Sequence, residues 1–212
     1  MNQTSSPSAP AVVDPRLTTD PRPDFFAAAD QAVHLIDGLA PADLDRPTPC
    51  DDYDVRTLVA HLLTVFRRIT HVATGGGWAE VPQVITGVPD ESLATVAAAD
   101  RDRLVQVWSD DAVLERILSL PPGVQVPGRI GAFRYTQELV THAWDLAAAV
   151  GRVDQLDPAL AEPVIIGAQQ FVPRDAREGF PFGAVVDVAD DAGPYERLVG
   201  WLGRDPNWTP SA

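Results

Sequence analysis

The residues best placed to do chemistry are a glutamate and a histidine four positions apart, Glu138 and His142. They lie in the stretch ELVTHAWDL, whose apolar spacing predicts a helix. Because a helix turns by about 100° per residue, a four-residue step returns both side chains to within about 40° of one direction. A carboxylate and an imidazole placed in this way can ligate one metal ion, so the pair supplies half of a metal site.

His61 is the best candidate for a third donor. It interrupts the apolar run LVAHLL, which predicts a second helix facing the core. Taken singly, a Glu–His pair is common on solvated helices, and a buried histidine more often makes a structural hydrogen bond than a metal bond. Taken together the three favour a metal, since a buried carboxylate is costly unless it is paired or coordinated.

Two further side chains could assist such a site. Asp145 follows His142 by three residues and could orient the imidazole by accepting its second N–H, although it could equally be a surface or helix-packing aspartate. Arg68 lies seven residues after His61, almost in line with it, and could reach an anionic substrate. The alternative for Arg68 is a solvated charge near the end of a helix.

The single cysteine and the two remaining histidines are not expected to take part in chemistry. Cys50 is the single cysteine, which excludes an intrachain disulfide framework and Cys-rich zinc modules. Its aspartate neighbours Asp51 and Asp52 raise the pKa expected of the thiol, so we predict a packed and unreactive side chain. His34 and His71 are expected to be structural or exposed, because His71 faces away from His61 on their helix.

Composition excludes several classes of function. The net charge of −14 opposes binding to nucleic acid, and all 16 basic residues are arginines, which removes lysine Schiff-base chemistry. No apolar run approaches the length needed to span a membrane, and the first residues lack the pattern of a secretory signal. We therefore expect a cytoplasmic protein. Exposed Trp or Phe side chains could support a homodimer.

The pattern of apolar residues and breakers predicts an all-α protein. A disordered tail is expected at 1–22 and a single helical domain at 23–212, with Asp54 capping its second helix and Gly151 ending its fourth. Residues 110–118 extend or restart the third helix, and 118–130 form a loop or short hairpin. Four helices of about 17 to 22 residues suggest a four-helix bundle, with extra C-terminal helices and an irregular C-terminal segment. The predicted helices span 23–39, 55–73, 90–108, 129–150, 157–171 and 194–202.

Three sequence segments carry a resemblance to a known family. These are 48–62, with TPC followed by DVR and LVAHL, then 138–146, and the ending LGRDPNW at 202–208. In these segments the chain resembles the DinB-like superfamily, specifically the actinobacterial metal-binding family related to the metal-binding domain of mycothiol-dependent maleylpyruvate isomerase.

The resemblance implies a DinB-like four-helix bundle and places the family's metal ligands on His61, Glu138 and His142. The chain departs from the family pattern at Asp51 and Tyr53, where Pro and Trp are usual, and the ligands are unaffected. The isomerase carries an additional C-terminal domain that contributes to its active site. Too few residues follow the bundle here to build that domain, so maleylpyruvate is not implied as the substrate.

Two imidazoles and one carboxylate suit zinc, although nickel, manganese and iron are also chemically admissible. The leading hypothesis is a mycothiol-dependent thiol transferase or isomerase-like enzyme, in which the metal activates a small-molecule thiol for attack on an electrophilic substrate. Asp145 and Arg68 are its candidate assisting residues. One alternative is a non-catalytic, metal-stabilised bundle that acts as a binding or dimerisation module. Another is a hydrogen-bonded core cluster that binds no metal.

Overall fold

The computed structural model describes residues 19–210. This part of the chain is mostly helical, as predicted, with a single antiparallel hairpin. Its elements are α1 (Arg22–Asp37), α2 (Val55–Ala73), α3 (Leu93–Trp108), α4 (Ala112–Glu115), β1 (Ile117–Leu120), β2 (Val124–Pro127), α5 (Gly128–Val150), α6 (Pro158–Phe171) and α7 (Pro194–Trp201). The predicted tail at 1–22 lies largely outside the described residues, and α1 already begins at Arg22.

Four helices, α1, α2, α3 and α5, form the central bundle. Both α1 and α2 pack against α3 and against α5, while α6 and α7 pack on each other and against α5. The apolar faces of the four bundle helices bury most of their large side chains. Among them, Phe25 and Trp108 meet edge to face at 5.3 Å between ring centroids. The predicted four-helix bundle with added C-terminal helices is therefore confirmed.

The two helices that carry the candidate site begin or end at the residues predicted from capping signals. The Asp54 carboxylate accepts a hydrogen bond from the Thr57 backbone N–H at 2.8 Å, which caps the start of α2. Gly151 follows α5 with φ 72°, a left-handed conformation that glycine adopts without steric cost. These ends set the register of α2 and α5, and hence the directions of their side chains.

The third helix and the segment after it differ in detail from the prediction. A short 3-10 turn at Asp90–Ser92 precedes α3, which starts at Leu93. Residues 110–118 divide between the single turn of α4 and the first strand, and a hairpin connects to α5. Within residues 19–210, no helix combines the length and the apolar character that a membrane span requires.

Candidate metal centre

Helices α2 and α5 bring His61, Glu138 and His142 together. Glu138 Oε1 lies 3.2 Å from His61 Nε2 and 3.6 Å from His142 Nε2. One donor atom from each residue lies within 4.8 Å of the other two, and the imidazole rings cross at 80°. The four-residue step on α5 thus turns both of its side chains toward the same face of α2.

The first imidazole is oriented by a loop carbonyl. His61 Nδ1 lies 2.9 Å from the backbone oxygen of Gln83. Since a carbonyl oxygen can only accept, Nδ1 carries the proton and donates it. Nε2 of His61 is therefore the ring atom directed at Glu138. Tyr53 packs beside this ring, with 5.2 Å between centroids.

The second imidazole is oriented by Asp145. His142 Nδ1 lies 2.9 Å from Asp145 Oδ2, which fixes the proton on Nδ1 and directs Nε2 toward Glu138. Asp145 is completely buried. The structure therefore places Asp145 where the spacing suggested, as the acceptor of the second N–H of His142.

The sequence did not predict the ion-pair partner that offsets the cost of burying the Asp145 carboxylate. Arg204, just after α7, donates from Nε to Oδ1 at 2.6 Å and from its terminal nitrogen to Oδ2 at 2.8 Å. This bidentate ion pair compensates for the desolvation of the carboxylate. Arg204 belongs to the LGRDPNW segment that carried part of the resemblance, but no local spacing connects it to a residue 59 positions earlier.

The arrangement has the chemistry of a cation site. Three electron-rich atoms face one another, and with Nδ1 protonated in both rings only a proton or a metal ion can bridge them favourably. Zinc bonds of about 2.0 to 2.1 Å in a tetrahedron separate the donor atoms by roughly 3.3 Å. The observed spacings of 3.2 and 3.6 Å around Glu138 Oε1 bracket that value. The three residues therefore fit a tetrahedral metal.

Electrostatics keep the carboxylate ionised. Partial burial alone would raise the pKa of Glu138, but hydrogen bonds with His142 and His61 lower the pKa well below its ordinary value. Burial likewise disfavours protonation of His142, yet its hydrogen bond to Asp145 and the charge of Glu138 raise its pKa to about 9. Protons and a metal ion therefore compete for His142.

The site opens to solvent on one side. The side chain of Glu138 is 42% exposed, whereas those of His61 and His142 are only 2% and 10% exposed. The sequence had suggested a buried carboxylate, and this one lies at the edge of the bundle. A small molecule can therefore approach the three donors from the side of Glu138.

Arg68 does not touch the three donors. It is buried, and one terminal nitrogen donates to the carbonyl oxygens of Val81 and Pro82 at 3.0 and 2.6 Å. These two residues directly precede Gln83, which orients His61. Arg68 thus holds the loop that positions one imidazole, and its contact with an anionic substrate stays a prediction.

The other candidate residues lie outside the three-donor cluster. Burial, followed by the charge of Asp145, raises the pKa of Cys50 to about 11, so its thiol is protonated at neutral pH. The flanking aspartates contribute less than the sequence argument assumed. His34 is exposed, and His71 pairs at the surface with Glu80 at 2.6 Å.

Comparison with known proteins defines the class to which this fold and site belong. The family model described as the mycothiol maleylpyruvate isomerase N-terminal domain matches residues 25–147, which span α1 to α5 and all three donors. The chain belongs to this family.

Two curated relatives match over nearly their whole length. They are the uncharacterized proteins MT0763 and Rv0738 of Mycobacterium tuberculosis, from strains CDC 1551 / Oshkosh and ATCC 25618 / H37Rv. Each is 29% identical over 193 residues, covering 91% of this chain and 98% of the relative.

Solved structures share the fold. The crystal structure of the mycothiol-dependent maleylpyruvate isomerase aligns with a TM-score of 0.58 at 14% identity, over 92% of this chain and 81% of that one. A histidine-to-alanine mutant of that enzyme aligns with a TM-score of 0.57. An alignment of this extent includes elements after α5, so the shared fold continues beyond the bundle.

Proposed function

We propose that this protein is a metal-dependent enzyme that uses a small-molecule thiol, mycothiol by analogy with its family, to attack an electrophilic substrate. The metal, zinc in our proposal, is held by Nε2 of His61, Nε2 of His142 and a carboxylate oxygen of Glu138. Nickel, manganese and iron are accepted by the same donor types. The observation that carries the proposal is that each imidazole has its Nδ1 proton committed elsewhere, so that both Nε2 atoms point at one ionised carboxylate, where a metal ion can replace a proton.

A bound zinc ion would lower the pKa of a coordinated thiol, so that a thiolate nucleophile is available at neutral pH. The residues of the chain prepare this state. Gln83 and Asp145 fix the two imidazole tautomers, and Arg204 holds Asp145 ionised. In the proposed reaction the thiol proton leaves to solvent at the exposed edge near Glu138. The sulfur electron pair forms a bond to the electrophilic carbon, and an electron pair of that carbon moves to a leaving group or a conjugated carbonyl.

Two features favour catalysis over a purely structural metal. Among residues 19–210, Cys50 forms a second potential ligand group with His142 and Asp145, but no other His, Cys, Asp or Glu atom lies within 4.8 Å of all three donors, so coordination positions remain for substrate. The cluster is also accessible through Glu138. A surface cavity of about 460 Å³ lies nearby and is lined in part by Tyr53, the residue that packs against His61. The proposal places the protein in the cytoplasm, where small thiols are kept reduced.

The test is calorimetric titration of the zinc-loaded protein with mycothiol, followed by an assay for thiol transfer to an electrophile. We expect saturable binding that is lost in the His61→Ala and His142→Ala variants. His71→Ala is the matched control, because that histidine is surface-paired and outside the site. Tight metal binding without any heat from mycothiol, and without transfer, would instead support the non-catalytic binding or dimerisation module.

A further inference from the structure

The chain segment that orients His61 has no regular secondary structure of its own. Residues 81–85 lie between the 3-10 turns at Trp78–Glu80 and Asp90–Ser92. Among the described residues, no backbone–backbone hydrogen bond involves any of these five positions. Since the backbone groups of a folded chain are normally paired, the segment depends on side chains for its position.

Arg68 holds the start of this segment. One of its terminal nitrogens donates to the carbonyl oxygens of Val81 and Pro82, which lie 13 and 14 residues further along the chain. Arg68 itself is only 6% exposed. A buried charge is costly unless hydrogen bonds compensate for it, so moving the segment away from α2 would deprive the guanidinium of both acceptors.

Thr64 holds the end of the segment. Its hydroxyl donates to the Ala60 carbonyl at 3.1 Å and accepts the backbone N–H of Ile85 at 2.9 Å. Thr64 is completely buried, and the Ile85 side chain belongs to the hydrophobic core. Gln83 is therefore held between two anchors, one on the residues just before it and one two residues after it.

Both anchors lie on the same face of α2 as the metal donor that they serve. Steps of three and seven residues from His61 to Thr64 and Arg68 return to within about 60° and about 20° of one direction. The carbonyl of Gln83 accepts the Nδ1 proton of His61 at 2.9 Å, and its side-chain amide lies 3.4 Å from the hydroxyl of Tyr53. Tyr53 packs against the same imidazole, so the segment confines this ring from two sides.

We propose that Thr64 and Arg68 are positioning residues for the metal centre. By fixing residues 81–85 against α2, they keep the Gln83 carbonyl where it accepts the Nδ1 proton of His61, and so direct Nε2 toward the metal. Neither residue is a ligand. The inference rests on the proposed metal centre and is independent of the thiol and of its substrate.

The experiment measures the zinc affinity of the full-length protein by competition with a chromogenic chelator. Arg68→Met removes the bonds to the start of the segment, and Thr64→Val removes the hydroxyl while keeping the shape of the side chain. We expect each variant to bind zinc about tenfold more weakly, because losing the group that orients a ligand histidine lowers metal affinity. Thr64→Ser keeps the hydroxyl and is expected to restore the affinity of the unmodified protein.

Neighbouring positions on α2 provide matched controls. Arg67 pairs with Asp100, and the hydroxyl of Thr70 donates to the Phe66 carbonyl, so neither side chain is bonded to the segment. Arg67→Met and Thr70→Val repeat the chemical changes of the two test variants without releasing residues 81–85. Both controls are expected to leave zinc affinity unchanged.

A second readout separates positioning from a general loss of stability. Long-range proton–nitrogen NMR spectra of the zinc-saturated protein show which ring nitrogen of His61 carries the proton. We expect only Nδ1 to be protonated in the unmodified protein, and a mixture of the two tautomers in Arg68→Met and Thr64→Val.

The outcomes distinguish this inference from the proposed function. Unchanged zinc affinity in both test variants would overturn the positioning role and leave the metal centre in place, as would weaker binding with the proton still on Nδ1 alone. An unmodified protein that binds no zinc would reject the metal centre and the positioning role together. The expected loss of affinity in a protein that does not bind mycothiol would retain the positioning role and reject the thiol chemistry.

Discussion

Arg204 and Asp145 form a buried ion pair in which both donor–acceptor distances are below 3 Å. The pair joins the segment after α7 to the C-terminal part of α5, and Asp145 in turn orients the ring of His142. A residue after α7 therefore helps to shape a site whose three donors all come from α2 and α5.

Removing the arginine should destabilise the fold strongly. In Arg204→Met the buried carboxylate of Asp145 loses both hydrogen bonds from the guanidinium and keeps only His142 as a partner, and we expect the free energy of unfolding to fall by about 3 kcal/mol. Urea denaturation measures this value. Arg197→Met is the matched control, because the Arg197–Glu162 pair is exposed and should contribute less than about 1 kcal/mol. Equal losses in the two variants would contradict the role given to Arg204.

Asp145 should control metal affinity without being a ligand. Asp145→Asn weakens the acceptor that fixes the His142 tautomer, and we expect zinc affinity to fall about 10- to 100-fold. Competition with a chromogenic chelator measures the affinity. Asp100→Asn serves as the control, since Asp100 pairs with Arg67 and touches neither imidazole. An unchanged affinity in Asp145→Asn would remove Asp145 from the site.

Metal binding should be coupled to proton release. In the folded, metal-free protein the pKa of His142 is raised to about 9, above the ordinary histidine value of about 6.5. The ring therefore keeps a second proton, on Nε2, that a metal ion must displace. We expect zinc affinity to rise with pH from 7 to 9, by up to about tenfold per unit, and to gain nothing further from this group above pH 9. Calorimetry in buffers of different ionisation enthalpy counts the protons released. Affinity that is flat across this range would refute the coupling.

The same shift affects the stability of the metal-free protein. Because the folded pKa of His142 is raised, its contribution to stability is complete below about pH 6.5 and disappears as pH rises through about 9. We expect the chelated protein to lose stability over this interval, and the loss to be smaller in His142→Gln. Chemical denaturation at several pH values provides the measurement, and identical pH profiles for both proteins would oppose the prediction.

Cys50 should be slow to react. With its pKa raised to about 11, the thiolate population at pH 7.5 is roughly a hundredfold lower than for an unfolded cysteine. Alkylation by iodoacetamide should therefore be slower by about that factor in the folded protein than in urea. Cys50→Ser should retain full zinc affinity. Rapid alkylation of the folded protein would show that the thiol is activated after all.

The sequence was informative where local rules apply. The Asp54 cap and Gly151 locate the ends of α2 and α5, and helical periodicity makes Glu138 and His142 neighbours. Periodicity identifies the apolar face of each helix, but it does not show which faces meet in the bundle. That His61 faces Glu138 and His142 was indicated by the family resemblance.

Other features of the site depend on tertiary contacts that leave no local signal. The carbonyl of Gln83 orients His61, but every residue carries a carbonyl and none is marked as an acceptor. The pairing of Arg204 with Asp145 arises only when α7 packs near α5. The exposure of Glu138 likewise follows from its place at the edge of the bundle rather than from its spacing to His142.

The central claim is that His61, Glu138 and His142 together bind one divalent metal ion. Elemental analysis of the purified protein, after reconstitution with zinc and removal of excess ion, tests it most directly when the His61→Gln, His142→Gln double variant is analysed in parallel. The account predicts about one zinc per chain in the unmodified protein and almost none in the variant. Equal metal content in the two proteins, or no retained metal in either, would contradict it.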